Sequence, residues 1–302
     1  MQLLQNKFYK NITKKSILVI GNFDGVHLGH ESLFLKAKKI AKKNKTKFGA
    51  LTFNPNPKEF FSKDKKINII NFSDKIKILK NLKLDYLVVL KFNKKLRSIS
   101  ANNFINKILI DKIDPSLIIV GKEFRFGKNR IGDINLLKEK LNLLSAPHIK
   151  FNRKKISSSE VRKLISKGKV DAIKKHLGRN WFISGKIING RGVGRRIGFR
   201  TANIDLGNYL EPKKGVYAVH FLIKNKKYKG VANFGDAPTF KRNKAILEVH
   251  LFQSIKNIYN KEAKVEFVKY IREEKKFKNT YLLIKQINKD VKKVKKILSN
   301  AR

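Results

Sequence analysis

The chain of 302 residues contains no cysteine and only six histidines. Without cysteine it forms neither disulfides nor thiolate metal sites, which suits a reducing compartment. No run approaches the roughly eighteen apolar residues that a membrane-spanning helix needs. The first fifteen residues also hold no apolar segment of signal-peptide length. These absences predict a cytoplasmic protein with no membrane partner.

Acidic side chains are scarce as well: 22 Asp and Glu stand against 71 Lys and Arg, a net charge of +49. Such a balance is typical of proteins that bind nucleic acid or anionic membranes. Here the charge is mostly lysine, spread along the whole chain, and pairs such as Lys38-Lys39 lie on the polar faces of helical patterns. No arginine-rich block or aromatic–basic repeat is present. We expect no specific nucleic-acid binding, and keep a basic nucleic-acid-binding protein as an alternative.

The first half alternates short apolar runs with helical patterns. The runs 17–20, 48–53, 86–90 and 117–120 indicate buried strands, and helices are predicted after Ser73, after Ser100 and over residues 134–144. This alternation is typical of a parallel, doubly wound α/β sheet with a Rossmann-like fold. Ligands bind such sheets at the carboxyl ends of the strands.

The pattern of apolar residues changes in the second half of the chain. Residues 157–177 have a helical pattern, and four strand patterns then follow one another, at 216–221, 228–234, 246–251 and 264–268. They predict a small antiparallel β-barrel, followed by a last helix from about Thr280 to Leu298. The length allows two domains, which we expect at residues 1–178 and 179–302.

The most informative segment is residues 21–30, Gly-Asn-Phe-Asp-Gly-Val-His-Leu-Gly-His, between a strand pattern and a helix pattern. A strand–helix junction offers unpaired backbone N–H groups and the positive end of a helix dipole, which bind phosphate. His27 and His30 lie three residues apart, on one side of the helix start, where both can donate hydrogen bonds to a phosphate that gains charge. Phosphate chemistry is the favoured interpretation. The alternatives are a metal site, for which no third ligand stands nearby, and two unrelated surface histidines.

Residues 156–162, Ile-Ser-Ser-Ser-Glu-Val-Arg, form a second candidate phosphate site. Hydroxyl and N–H groups at a helix start bind phosphate, and Arg162, one turn further, is a two-pronged donor. The alternative is a local capping box between Ser157 and Glu160.

The motif at residues 21–30 resembles the His-x-Gly-His signature of nucleotidyltransferases, and the full string resembles bacterial FAD synthetases. The segments 52–57, 120–127, 130–133 and 156–162 also match that family. The resemblance implies transfer of an adenylyl group from MgATP to FMN. The implied ATP-binding residues are Gly21, Asn22, Phe23, Asp24, Gly25, His27, His30, Ser158, Ser159 and Arg162, with His27, His30 and Arg162 catalytic. The implied flavin-binding residues are Asn54, Phe124, Arg125, Phe126 and Asp133.

The second half resembles bacterial riboflavin kinases. Residues 185–199 are rich in glycine and arginine, and a backbone of this freedom can wrap closely around phosphates. Thr201-Ala202-Asn203 matches the family's Pro-Thr-Ala-Asn motif, and Glu248 occupies the position of its general base. A plain outward-facing strand carboxylate is the alternative for Glu248. The residues implied to bind ATP are Gly190, Gly192, Gly194, Arg195, Gly198, Thr201 and Asn203, with Thr201 and Asn203 on Mg²⁺.

The two resemblances together span residues 16–295 and imply a bifunctional riboflavin kinase/FAD synthetase that uses ATP and Mg²⁺, with riboflavin, FMN and FAD as substrates and products. One departure bears on the kinase: Arg200 stands where the family has proline, so Thr201 lacks a neighbour of fixed φ. A chain that retains only the adenylyl transfer is therefore a second alternative. Other departures are Ala237 for arginine, Glu123 for aspartate and Asn103 for glutamate. The oligomeric state stays open.

Overall fold

The structure is a computed structural model that describes residues 1–64, 66–152, 154–189, 197–224, 226–236, 245–255 and 257–300. The chain divides into two compact units. The first comprises residues 1–68 and 72–158, and the second comprises residues 69–71 and the chain from 159 onward. The domain ranges 1–178 and 179–302 stay a prediction.

The first unit is built on a six-stranded parallel sheet in the order β1-β4-β3-β2-β5-β6. Its strands are β1 (Gln2–Gln5), β2 (Ile17–Ile20), β3 (Phe48–Asn54), β4 (Tyr86–Lys91), β5 (Leu117–Gly121) and β6 (Leu143–Ala146). All four residues of β2 are buried, as expected for a central strand covered on both faces. The predicted Rossmann-like sheet is confirmed.

Helices connect these strands. They are α1 (Lys10–Thr13), α2 (Leu28–Lys43), α3 (Pro57–Phe61), α4 (Phe72–Asn81), α5 (Lys94–Arg97), α6 (Ala101–Phe104), a π-helix (Ile105–Ile113), a 3₁₀ turn (Lys128–Arg130) and α7 (Ile134–Lys140). A short antiparallel pair, β7 (Lys150–Phe151) with β8 (Lys154–Lys155), completes the unit. Ser100 caps α6 as predicted, because its hydroxyl accepts the N–H of Asn103 at 3.1 Å.

The second unit holds a closed antiparallel barrel in the order β10-β13-β12-β11-β14-β9, as predicted. Its strands are β9 (Phe182–Ile188), β10 (Thr201–Ile204), β11 (Gly215–Ile223), β12 (Lys226–Asp236), β13 (Ala245–Leu251) and β14 (Glu262–Arg272). Its helices are α8 (Ser158–Ser166), α9 (Val170–Leu177) and the terminal helix α10 (Thr280–Asn300). Trp181 stacks on Phe267 with ring centroids 4.7 Å apart, and its indole N–H donates to the Ile69 carbonyl at 2.8 Å.

Three local expectations differ from the structure. The helix predicted over residues 134–144 ends at Lys140, because Leu143 pairs with Ile118 and begins β6. The helix predicted after Ser73 begins at Phe72, so Ser73 lies in its first turn. The helical stretch 157–177 is two helices, separated where Gly168 adopts a φ of +70°.

Candidate active sites

The candidate site of the first unit lies at the point where the strand order of the sheet reverses. β3 lies on one side of β2 and β5 on the other, and ligands bind doubly wound sheets in the crevice at such a point. A cavity of about 230 Å³ opens there, bordered by the segments that follow β2 and β5. Its lining includes Gly21, Phe23, His27, His30, Phe124 and Ser157. The histidine motif therefore faces the cavity, as its place in the sequence predicts.

His27 and His30 form a reciprocal cap at the start of α2. The Nδ1 atom of His27 accepts the backbone N–H of His30 at 3.2 Å, and Nδ1 of His30 accepts that of His27 at 3.3 Å. The two rings stack with their centroids 3.6 Å apart. A side chain at Gly29 would crowd this stack, since a Cβ there would lie 3.1 Å from the His27 ring. A larger residue at this position would therefore displace the His27 ring by a few tenths of an ångström.

The cap also determines which ring nitrogen is available to a ligand. Because each Nδ1 accepts a hydrogen bond, the proton of a neutral ring sits on Nε2. Burial, followed by the charges of His27 and Lys75, lowers the pKa of His30 well below 6.5. His30 is therefore neutral at pH 7 and presents its Nε2–H as a donor. This arrangement suits stabilisation of a phosphate in its transition state.

The loop between β2 and α2 is held in a strained conformation by side chains from elsewhere in the first unit. Phe23 and Val26 adopt φ values of +48° and +39°, which are costly for residues other than glycine. The Asn22 carbonyl accepts hydrogen bonds from Lys75 Nζ at 2.9 Å and Thr52 Oγ1 at 3.3 Å. Sequence analysis did not identify Lys75, whose contact with Asn22 bridges 53 residues. The structure identifies Lys75 by its burial, since the residue is only 4% exposed.

Ser158 of the serine–arginine motif contacts the histidine loop. The hydroxyl of Ser158, the last residue of the first unit, donates to the Asp24 carbonyl of the histidine loop at 2.9 Å. Ser159 and Arg162 also lie on α8 but belong to the second unit. Binding of ATP phosphates by Ser158, Ser159 and Arg162 stays a prediction.

Of the predicted flavin-binding residues, Phe124 lines the cavity, and Phe126, Arg125 and Asp133 make contacts around it. The Phe124 side chain stacks on Phe126 with centroids 5.7 Å apart, and Phe124 lines the cavity whereas Phe126 is buried in the core. Asp133 accepts the Asn135 N–H at the start of α7 and pairs with Arg125 Nη1 at 3.2 Å. This contact holds the turn after β5 together. Asn54 ends the neighbouring strand β3 and is exposed.

The candidate site of the second unit is a row of polar residues across three barrel strands. Asn203 of β10 is the register partner of Glu248 on β13, which in turn pairs with Asn233 of β12. Directly opposite residues project from the same face of a sheet, so the three share one face. Thr201, two residues before Asn203, lies on that face as well. Burial raises the pKa of the Glu248 carboxyl above its ordinary value, although the residue as a whole is exposed.

Thr201 follows an arginine, Arg200, and its backbone is restrained by contacts with β13. Its register partner on β13 is His250, and Nδ1 of His250 lies 3.0 Å from the Arg200 carbonyl. The Phe199 ring meets the His250 ring edge-on at 5.2 Å. The strand ladder and His250 thereby restrain the backbone that a proline would otherwise fix.

Further residues complete the description of this face. The Nδ2 group of Asn233 donates to the Glu274 carboxylate at 3.3 Å. The sequence motifs predict a site role for neither residue. Asn233 is identified by the register of β12 and β13, which places it opposite Glu248. Gly198 has a φ of +85°. Gly190, Gly192, Gly194 and Arg195 lie outside the described residues.

Within the described ranges, no cluster of three or more His, Cys, Asp or Glu side chains is arranged to hold a metal ion. No helix in these ranges is long and apolar enough to cross a membrane.

Comparisons with known proteins cover both units. A family model described as FAD synthetase matches residues 9–160, and one described as riboflavin kinase matches residues 177–298. A bifunctional riboflavin kinase/FMN adenylyltransferase of Buchnera aphidicola subsp. Schizaphis graminum is 39% identical over 95% of this chain and 95% of its own length. The chain belongs to the family of bifunctional riboflavin kinases/FMN adenylyltransferases.

Other relatives agree with this family. The Bacillus subtilis member is 35% identical over 95% of this chain and 94% of its own, and the Escherichia coli K12 member is 34% identical over 91% and 90%. A solved structure titled macrolide-efflux protein from Streptococcus pneumoniae is 29% identical and covers 98% of this chain and 99% of its own, with a TM-score of 0.87. The resemblance inferred from the motifs is thus confirmed: the chain is a flavin-synthesising enzyme with both domains of the family.

Proposed function

We propose that the chain phosphorylates riboflavin to FMN in the barrel and then adenylylates FMN to FAD at the cavity of the first unit. The observation that carries the proposal is the presence of two separate polar sites, each within the segment matched by the corresponding family model. Since both reactions consume ATP, we place them in the cytoplasm. The substrates are small molecules, and the basic surface favours the approach of anions such as ATP and FMN.

In the adenylyl transfer, an FMN phosphate oxygen forms a bond to the α-phosphorus of ATP as the bond to the bridging oxygen breaks, and pyrophosphate leaves. No protein nucleophile is needed, so the work is positioning and charge neutralisation. We assign the Nε2–H groups of His27 and His30 to the α-phosphate, and Ser159 and Arg162 to the other phosphates. Phe124, which lines the cavity, would contact the flavin ring.

In the kinase reaction, the ribityl hydroxyl attacks the γ-phosphorus of ATP and ADP leaves. We assign Glu248 as the general base that takes the hydroxyl proton. Burial raises the pKa of this carboxyl, which makes the carboxylate a better proton acceptor. Asn203, its register partner, would contact the phosphates.

The donor set at the barrel fits Mg²⁺. Thr201 and Asn203 share a face with Glu248 and supply hydroxyl and amide oxygens, which are the hard ligands that Mg²⁺ prefers. Mg²⁺ usually takes only one or two protein ligands and completes its shell with substrate phosphates and water. When bound, the ion would neutralise charge on the ATP phosphates. Thr201 and Asn203 would hold it on the strand that lies beside the base.

Incubation of the purified protein with riboflavin and MgATP, with separation of the flavins, tests the proposal. We expect FMN to appear first and FAD to follow. FAD from supplied FMN, but no product from riboflavin, would identify a monofunctional adenylyltransferase. Tight, sequence-selective nucleic-acid binding at physiological salt without any flavin turnover would support the nucleic-acid-binding alternative.

A further inference from the structure

Lys75 is a buried cation behind the histidine loop that none of the assigned roles uses. It lies in the first turn of α4, the residue is 4% exposed, and its ammonium donates to the Asn22 carbonyl at 2.9 Å. Long lysine side chains usually place the charged group in water. A lysine that buries its ammonium against a backbone carbonyl beside the cavity-lining loop therefore carries a cost that calls for a function.

The hydrogen bond between Lys75 and Asn22 lies next to the strained part of the loop. Asn22 precedes Phe23, the first of the two residues whose positive φ strains the loop that leads to His27. Such strain persists only when surrounding contacts over-determine the conformation. A hydrogen bond from a charged donor is about twice as strong as a neutral one. Lys75 is thus a stronger donor to the Asn22 carbonyl than the Thr52 hydroxyl.

The surroundings of Lys75 contain charges of both signs. Burial favours the neutral form of Lys75 and lowers its pKa to about 8, although Asp24 of the loop and Glu59 of α3 favour the protonated form. The Phe72 ring centroid lies 5.8 Å from the ammonium. On the side of the active site, the positive charge of Lys75 lowers the pKa of His30 and so favours the neutral ring that donates through Nε2.

We propose that Lys75 is a positioning residue for adenylyl transfer: its ammonium holds the Asn22 carbonyl, and through it the strained loop that presents His27 and His30 to the substrate phosphates. Because its ammonium is buried against the Asn22 carbonyl, Lys75 acts through the loop. The inference rests on the proposed function of the first unit. It adds a residue that the His-x-Gly-His motif does not contain.

Lys75→Met tests the proposal, with Lys80→Met, an exposed lysine on the same helix, as the matched control. We expect kcat for FAD formation from FMN to fall on the order of a hundredfold with a small change in KM, because misplacement of the reacting groups acts on the transition state. FMN formation from riboflavin in the same protein should be unchanged. Unchanged FAD formation would refute the proposal, as would an equal loss of both activities, which would indicate a purely structural lysine.

The wild-type pH profile supplies a test that does not depend on a variant's folding. Deprotonation of Lys75 near pH 8 should produce an alkaline decline in kcat for FAD formation that the kinase reaction lacks. Lys75→Arg should remove that decline, since arginine stays protonated. A decline shared by both reactions, or one that survives in Lys75→Arg, would refute the proposal. If the wild-type protein made no FAD from FMN at any pH, the proposed function itself would fail.

Discussion

Arg272, near the end of β14, and Asp290, in the terminal helix, form a bidentate ion pair. The Nε of Arg272 donates to Oδ1 of Asp290 at 3.1 Å, and Nη2 donates to Oδ2 at 2.7 Å. Gln286 donates to Oδ1 of Asp290 at 2.9 Å, and Asp290 is only 5% exposed. The pair joins the terminal helix to the barrel, so it supports the unit that carries the candidate kinase site.

Asp290→Ala should destabilise the second unit by about 3–5 kcal/mol, because it leaves the Arg272 guanidinium without its partner in a mostly buried position. Trp181 is the single tryptophan and lies in the same unit, so its fluorescence during denaturant unfolding reports this loss. The control is Glu273→Ala, which breaks the exposed pair with Lys213 and should have a much smaller effect on unfolding, since water screens that pair. Equal effects of the two variants would contradict the prediction.

His30→Ala should strongly reduce FAD formation while leaving FMN formation intact. Loss of a donor to the developing phosphate charge is expected to lower kcat on the order of a hundredfold to a thousandfold. The variant also removes one half of the reciprocal cap on α2, so melting of the protein is measured beside turnover. Riboflavin phosphorylation in the same sample is the internal control. Equal loss of both products would show that the histidine does not belong to a separate site.

The lowered pKa of His30 predicts how the first unit responds to acid. Between its pKa in the folded protein and the ordinary value of 6.5, the unfolded chain binds more protons, so the stability contribution is complete above pH 6.5 and is lost as the pH falls below it. The midpoint temperature of thermal unfolding of the wild-type protein should therefore fall as the pH is lowered from 7.5 to 5. His30→Ala should show a shallower fall. Parallel curves for the two proteins would contradict this assignment.

Glu248→Gln should have the opposite catalytic effect to His30→Ala. Loss of the general base is expected to lower the rate of FMN formation by about a hundredfold or more, while FAD formation from supplied FMN continues. Because the pKa of Glu248 is raised, the acid limb of the wild-type kinase profile should lie above the 4.5 of an ordinary glutamate. Equal loss of both activities, or an unaffected kinase reaction, would contradict the assigned role.

The comparison of sequence and structure separates local signals from distant ones. Strand β2, the histidine turn and helix α2 follow one another along the chain, so the apolar run and the spacing of the motif predict them directly. The register of β10 and β13 pairs Asn203 with Glu248, two residues of separate motifs whose roles stay a prediction. By contrast, the first two residues of β6, Leu143 and Leu144, fall within a predicted helix, because they become a strand only through pairing with β5.

The sequence by itself determined the alternation of the first half, the barrel pattern of the second and the family motifs, since periodicity and local motifs depend on residues close together in the chain. The tertiary structure alone decided which distant side chains support those motifs. Lys75 reaches Asn22 across 53 residues, and Ser158 reaches Asp24 across 134. No periodicity encodes such contacts, because they depend on how packed elements bring a donor to one particular carbonyl.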